Sequence, residues 1–346
     1  MNYLITQDWT NTSNNHAGIK HMCNLLHDMY PNKFETIVVP DFYVSIKKNF
    51  FTRKIQFFRV KGMFKRKCKS IVEELATKVR DGDRGFFLEY MELLYPQYNL
   101  AAEVRKLNPN ISIFGMVHLV PAVIESNFDD HSIHQWVNNV DKIITLGHSL
   151  TDFFIGKGIP EDKIITTFHY VDQSYYKPNS PKILDERMVV IAMGNQMRNV
   201  SLLSKIARCN SDVDFIICQG TSDLSASFKD IMNVKLIPYV PENELKDYMN
   251  KADVSLNVMI DTIGSNVIVT SMSMGLAMIC SDVGSIRDYC NDENAYFCNN
   301  DDDSTFNNAI TRLKLNRDIL RKKQLASLSI SHRFAISKIS ALFDSL

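Results

Sequence analysis

The short stretch Gly264-Ser265-Asn266-Val267 places a capping hydroxyl ahead of an apolar, helically spaced run. The first N–H groups of such a helix lack internal acceptors and lie at the positive end of its dipole, so they suit an anion. The plainer reading is an ordinary helix start, with Ser265 as the cap. Arg198, in "MGNQMRN", follows a predicted strand. Its planar fork matches phosphate oxygens, although a surface arginine would look the same. His118 ends the run "ISIFGMVH", where an imidazole either meets a ligand or is satisfied by backbone. Nothing points to metal. No Asp-x-Asp stands at a predicted strand end, and "NDDDST" (300–305) reads as a helix start. The seven cysteines (23, 68, 209, 218, 280, 290 and 298) show no CxxC or Cys/His ligand spacing, and most sit in apolar surroundings, so most read as reduced core residues of a cytosolic protein.

The elements that must carry these residues alternate along the chain. Strands are predicted at 3–7, 35–39, 85–89, 111–118, 142–146 and 163–168, then at 188–193, 214–218, 234–238, 254–258 and 277–280. Amphipathic stretches such as "AGIKHMCNLLHDMY" and "ENELKDYMNKA" fill the intervals. Alternation of this kind implies α/β architecture, with parallel sheets covered on both faces. At 346 residues the chain suits two domains of roughly 150–180 residues. The break is expected in "YYKPNSPKILDER" (175–187), giving domains 1–178 and 179–330, with the amphipathic helix 331–346 returning to the first. In such sheets ligands bind at the carboxyl ends of the strands.

Composition narrows the classes further. Lys+Arg and Asp+Glu are both 39, so no global field favours nucleic acid. The start "MNYLITQDW" has no signal-peptide pattern, and no apolar run is long enough to span a bilayer. A cytoplasmic location is therefore the expectation. Charge is uneven locally, however. Residues 42–72 contain no acid, and within 47–69 ten Lys or Arg residues are interleaved with Phe50, Phe51, Phe57, Phe58 and Phe64. The basic residues do not gather on one helical face, so a single amphipathic helix is not favoured and "KIQFFRVKG" can equally be a strand. An anionic membrane surface is one expected partner for 47–69. A solvated loop or a protein-docking surface is the alternative.

Taken in order, "VDKIITLGHSLTDFFIGKGIPEDKIITTFHYVDQSYYKP", "AMGNQMRN", "IPYVPENELKDYMNKADVSLNV" and "GSNVIVTSMSMGLAMICSDVGSIRDY" resemble GT-B glycosyltransferases of the family-4-like group (glycosyl transferases group 1). The resemblance covers the second domain and, more loosely, the first. It implies two Rossmann-like domains facing each other across a cleft. It also implies transfer of a sugar from a nucleotide diphosphate-sugar, UDP- or GDP-linked, to a glycan or lipid-linked acceptor. No other cofactor, no metal and no nucleic acid are implied. By analogy the product is a cell-surface polysaccharide, made with retention of configuration.

The resemblance also implies roles. Ser265, Asn266 and Val267 would receive the diphosphate with Arg198 and with Gly18 of "DWTNTSNNHAGIKHM"; Lys205 or Arg208 would be a second cation. Tyr239 and Val240 would face the base. His16 would touch the acceptor, or be a solvated loop histidine, and His118 would bind the transferred sugar or the acceptor. The chain departs from the pattern at two glutamates, which here are Thr262 and Thr270. Thr270 keeps one hydroxyl for a ribose, and Asp261 can supply the carboxylate one residue early. Loss of both glutamates equally suits a catalytically silent sugar-nucleotide-binding or scaffolding subunit.

Overall fold

The computed structural model describes residues 1–9, 15–40, 50–91, 97–180 and 187–346. The chain divides into two compact units, Met1–Thr167 and Phe168–Leu346. In the first, six strands form one sheet: β1 (Asn2–Asp8), β2 (Phe34–Pro40), β3 (Arg84–Tyr90), β4 (Ser112–Val117), β5 (Lys142–Thr145) and β6 (Ile164–Thr166). Its helices are α1 (Ile19–Met29), α2 (Phe50–Lys78), α3 (Gln97–Leu107), α4 (Pro121–Asn127), α5 (Asp130–Asn138) and α6 (His148–Gly156). The second unit holds β7 (Val189–Ala192), β8 (Asp214–Gly220), β9 (Val234–Pro238), β10 (Val254–Asn257), β11 (Ala277–Ser281) and β12 (Ala295–Cys298). Its helices are α7 (Val200–Cys209), α8 (Glu242–Lys251), α9 (Asn266–Ser273), α10 (Ile286–Tyr289), α11 (Asp303–Leu315), α12 (Arg317–Ser331) and α13 (Ile336–Ser345).

Both sheets are parallel throughout, and their central strands read as continuous apolar runs, as strands covered on both faces do. Strand order is β2-β1-β3-β4-β5-β6 in the first and β12-β11-β10-β7-β8-β9 in the second. Each order reverses once. The reversal lies between β1 and β3 in the first unit and between β7 and β10 in the second. Successive crossovers leave in opposite directions there, so the loops at the carboxyl ends diverge and open a crevice. The ladders are short at these points. β1 and β3 pair only from Asn2↔Arg84 to Ile5↔Phe87, and β7 and β10 only at Val254↔Val190 and Ser255↔Ile191.

Every predicted strand is present with its ends within two residues of expectation. β12 is an addition: it is a four-residue edge strand whose Tyr296 and Phe297 are only partly buried, so it gives no long apolar run. The basic segment is corrected more substantially. Its described part lies within a 29-residue helix, α2, and is not a strand; residues 47–49 lie outside the described residues, as do 181–186 of the expected linker. Phe64, Ile71 and Leu75 form its buried stripe at i, i+7 and i+11. Among the described residues no helix is long and apolar enough to cross a membrane.

Candidate active site

In the second unit the loop after β7 crosses the reversal point and is tied to the loop after β10. Arg198 and Met259 form an isolated antiparallel bridge. Asn199 N–H donates to the Val258 carbonyl at 2.9 Å and Ile260 N–H to the Met197 carbonyl at 2.7 Å. Met259 is fixed in turn from β11 and the loop after β12. Its N–H donates to Ser281 Oγ (2.9 Å), its carbonyl accepts from Asn300 Nδ2 (2.8 Å), and Ser281 Oγ donates to Asn300 Oδ1 (2.6 Å). This closed ring holds the backbone that carries Arg198.

The Arg198 side chain is largely buried. Nη1 donates to the Cys218 carbonyl at 3.0 Å, while Nη2 is buried without a hydrogen-bond partner among the described residues. Burial lowers its pKa from the usual 12.5 to about 10. The Cys218 thiol beside it is pushed up to about 11, also by burial, so it stays protonated at neutral pH. A cation with an unused donor in a low-dielectric crevice attracts an anion strongly.

The first turn of α9 abuts the same loop. A β-carbon on Gly194 (φ +80°) would sit 3.2 Å from Val267 Cγ2. Ser265 caps the helix as expected, its Oγ accepting from Ile268 N–H at 3.3 Å. Asn266 and Val267 thereby present first-turn N–H groups beside the Arg198 loop, and Asn266 Oδ1 is buried without a partner among the described residues. The loop that carries Arg198 and the first turn of α9, with Ser265, Asn266 and Val267, thus lie against each other at the reversal point. Lys205 and Arg208 do not join them: Lys205 lies 3.6 Å from Asp303, and Arg208 is exposed in the last turn of α7.

The loop before α9 is folded against the loop after β11. Asp261 Oδ1 accepts from Thr262 N–H at 2.7 Å, Thr262 Oγ1 accepts from Gly264 N–H at 3.0 Å, and Ser285 N–H donates to the Thr262 carbonyl at 2.7 Å. Thr270 donates its hydroxyl proton back to the Asn266 carbonyl at 2.6 Å. Both threonines therefore serve the local backbone. Gly264 (φ +91°) faces the Tyr289 ring, which a β-carbon would overlap. Tyr289 is buried, stacks on Phe334 with centroids 5.2 Å apart, and accepts the His169 N–H at 2.9 Å. Tyr239 and Val240 follow β9, two strands from β7; Tyr239 is half exposed. Two strand spacings amount to about 10 Å.

The first unit places a carboxylate at its own reversal point, which the sequence does not single out. Glu89, at the end of β3, is 3% exposed. It accepts from Thr6 Oγ1 and from Gln7 N–H, each at 3.1 Å, just where the β1–β3 ladder stops. The next strand end carries His118, whose Nε2 meets the Leu88 carbonyl at 2.7 Å. A register shift between Phe87 and Tyr90 interrupts the β3–β4 ladder around that carbonyl. Burial lowers the imidazole pKa to about 4, so His118 is neutral at physiological pH, with Nε2–H as donor. Gly18 precedes α1 in extended conformation, and its N–H donates to the Asn15 carbonyl at 2.8 Å. His16 is partly buried, its ring centroid 4.4 Å from that of His21. Residues 10–14 of this loop lie outside the described residues.

Residues 189–316 match the family model described as glycosyl transferases group 1. The curated GPI3 subunit of phosphatidylinositol N-acetylglucosaminyltransferase from Saccharomyces cerevisiae is 21% identical over 207 residues, which are 50% of this chain and 46% of that protein. The chain thus spans about half the length of that relative. Among solved structures, Anabaena Alr3699/HepE in complex with UDP and glucose aligns with a TM-score of 0.71 at 12% identity, covering 100% of both chains. Sucrose-phosphate synthase from Thermosynechococcus elongatus gives 0.73 at 10% identity over 99% of this chain and 98% of that one. The lipopolysaccharide outer core galactosyltransferase WaaB, in its apo form, gives 0.67 at 13% identity over 100% of both.

Proposed function

We propose, on the premise that the second unit is a glycosyl transferases group 1 domain in a chain of GT-B fold, that this protein moves a sugar from a nucleoside diphosphate-sugar to a glycan or lipid-linked acceptor. One observation carries the reading: a buried guanidinium with an unused donor stands beside a capped helix N-terminus at the reversal point of the second sheet. In the reaction the bond from the anomeric carbon to the phosphate oxygen breaks and one to the acceptor oxygen forms. The acceptor proton passes to the departing phosphate. The leaving group gains negative charge, which Arg198, the cap Ser265 and the first-turn N–H groups of Asn266 and Val267 stabilise. Tyr239 and Val240, about 10 Å away across two strands, suit the nucleoside. The UDP in the HepE complex supports a uridine diphosphate donor, with GDP the other candidate.

In the same reading Gly18 lets backbone approach the donor phosphates, and His16 contacts the acceptor. His118 contributes a neutral hydrogen-bonding imidazole, and Asp261 supplies a carboxylate near the transferred sugar. Retention, a cytoplasmic location and a role in cell-surface polysaccharide synthesis complete it. A second reading, a silent sugar-nucleotide-binding subunit, is favoured by threonines standing where the family pattern has its two glutamates, both of them hydrogen-bonded to local backbone. Calorimetric titration with UDP, GDP, ADP, dTDP and CMP, without added metal, tests the donor site. Assays of transfer or hydrolysis with the matching sugar nucleotides then separate the readings. Selective binding with turnover supports the enzyme, binding without turnover supports the subunit, and no binding by folded protein rejects the diphosphate site.

A further inference from the structure

The first unit carries a surface that the donor reading does not use. From Lys54 to Met63 none of the residues of α2 is buried, and the helix first meets the core at Phe64. Opposite the buried stripe runs Ile55, Arg59, Gly62 and Arg66 at i, i+4, i+7 and i+11, flanked by Phe58, Lys65 and Lys69. Ile55 is 61% exposed, Phe58 60% and Met63 68%. Seven basic side chains (Lys54, Arg59, Lys61, Lys65, Arg66, Lys67 and Lys69) stand on this part of the helix, and the first acid is Glu73, 3.6 Å from Lys69.

From this arrangement we infer that the outward face of α2 docks on an anionic lipid surface, with the helix lying along it. Charge selects a polyanion, and the exposed apolar residues select lipid among polyanions. Phosphates of a nucleic acid or an acidic protein would satisfy the basic residues but leave Ile55, Phe58 and Met63 in water. At a headgroup boundary the same face is satisfied throughout: the apolar side chains enter the acyl region, and the Lys and Arg heads stay with the phosphates on their long stems. This inference does not depend on the donor site.

The test is sedimentation of the full chain with phosphatidylcholine vesicles and with mixed phosphatidylcholine–phosphatidylglycerol vesicles. Two surface variants accompany it, Arg59→Gln/Arg66→Gln and Ile55→Ser/Phe58→Ser, with circular dichroism and nucleotide titration confirming fold and donor site. Binding should need the anionic lipid and weaken with salt. Each lost charge should lower it about fivefold, and loss of the apolar pair should lower it roughly tenfold or more. Failure to bind anionic vesicles, or equal binding to both vesicle types, overturns the inference. So does an Ile55→Ser/Phe58→Ser chain that binds as well as wild type, which together with tight binding to RNA would assign the face to a nucleic acid instead.

Discussion

Replacing Arg198 with methionine should weaken binding without a loss of stability. In the unliganded protein burial holds the guanidinium pKa near 10 instead of 12.5. At about 1.4 kcal/mol per pKa unit the charged form is disfavoured by on the order of 3 kcal/mol at neutral pH. The sign follows from linkage: the unfolded chain keeps its proton more readily between pH 10 and 12.5, so stability rises with pH across that window and the full cost persists below it. Methionine fills similar space without charge. It forfeits one charged hydrogen bond to the Cys218 carbonyl, about 1.5–3 kcal/mol, so the variant should keep its stability or gain up to about 1.5 kcal/mol. UDP affinity should fall, because loss of a charged hydrogen bond costs about 1.5–3 kcal/mol, a rise in Kd of roughly 10- to 150-fold. Calorimetric titration gives the affinity and urea unfolding of the same samples the stability. An Arg198→Met chain that binds UDP like wild type refutes the phosphate role, and one that loses stability refutes the buried-cation reasoning.

Three further outcomes are expected. His118, with a pKa near 4 against the usual 6.5, is neutral when folded but protonates when unfolded, so stability should fall as pH drops from 6.5 to 4; His118→Asn should flatten that decline, and the imidazole should titrate near 4 by NMR. Gly264→Ala should destabilise by at least about 2 kcal/mol in urea unfolding, since the left-handed backbone alone costs about 1–2 kcal/mol and the new methyl overlaps Tyr289. Asn300→Ala breaks the ring around Met259 and should weaken UDP binding severalfold through the Arg198 loop, and Asn300→Asp, which keeps an acceptor for Ser281 but sets a carboxylate against the Met259 carbonyl and adds negative charge near the anion site, should lose at least as much; titration of both variants decides.

The fold was legible because parallel strands buried on two faces need uninterrupted apolar runs, and such runs stand out against their polar loops. β12 is hard to see because a four-residue edge strand with two half-exposed aromatics has no such signature. Arg198 and Ser265 could be picked out locally, one by its place after a strand and the other by its place before a helix. Glu89 could not. In "GFFLEYM" it looks like any strand-end carboxylate, and only the shortened β1–β3 ladder gives it its partners. Ser281 and Asn300 were hidden for a related reason, since adjacency of β11 and β12 unites them. For α2, the one-sided burial of Phe64, Ile71 and Leu75 lies beneath a basic pattern spread around the whole helix, which masked its amphipathicity.

The order β12-β11-β10-β7-β8-β9 also bears on how the chain is made. Ribosomes deliver β7, β8 and β9 first, and these can pair at once. The other edge of β7 must wait for β10, which begins 62 residues after β7 has ended. A nascent chain halted before Val254 therefore carries a central, apolar strand with one side unsatisfied, the kind of edge that templates association between chains. Closure of the β7–β10 seam both ends that exposure and assembles the loops that hold Arg198 and Met259 together. Aggregation risk during synthesis and completion of the anion site thus end at the same step.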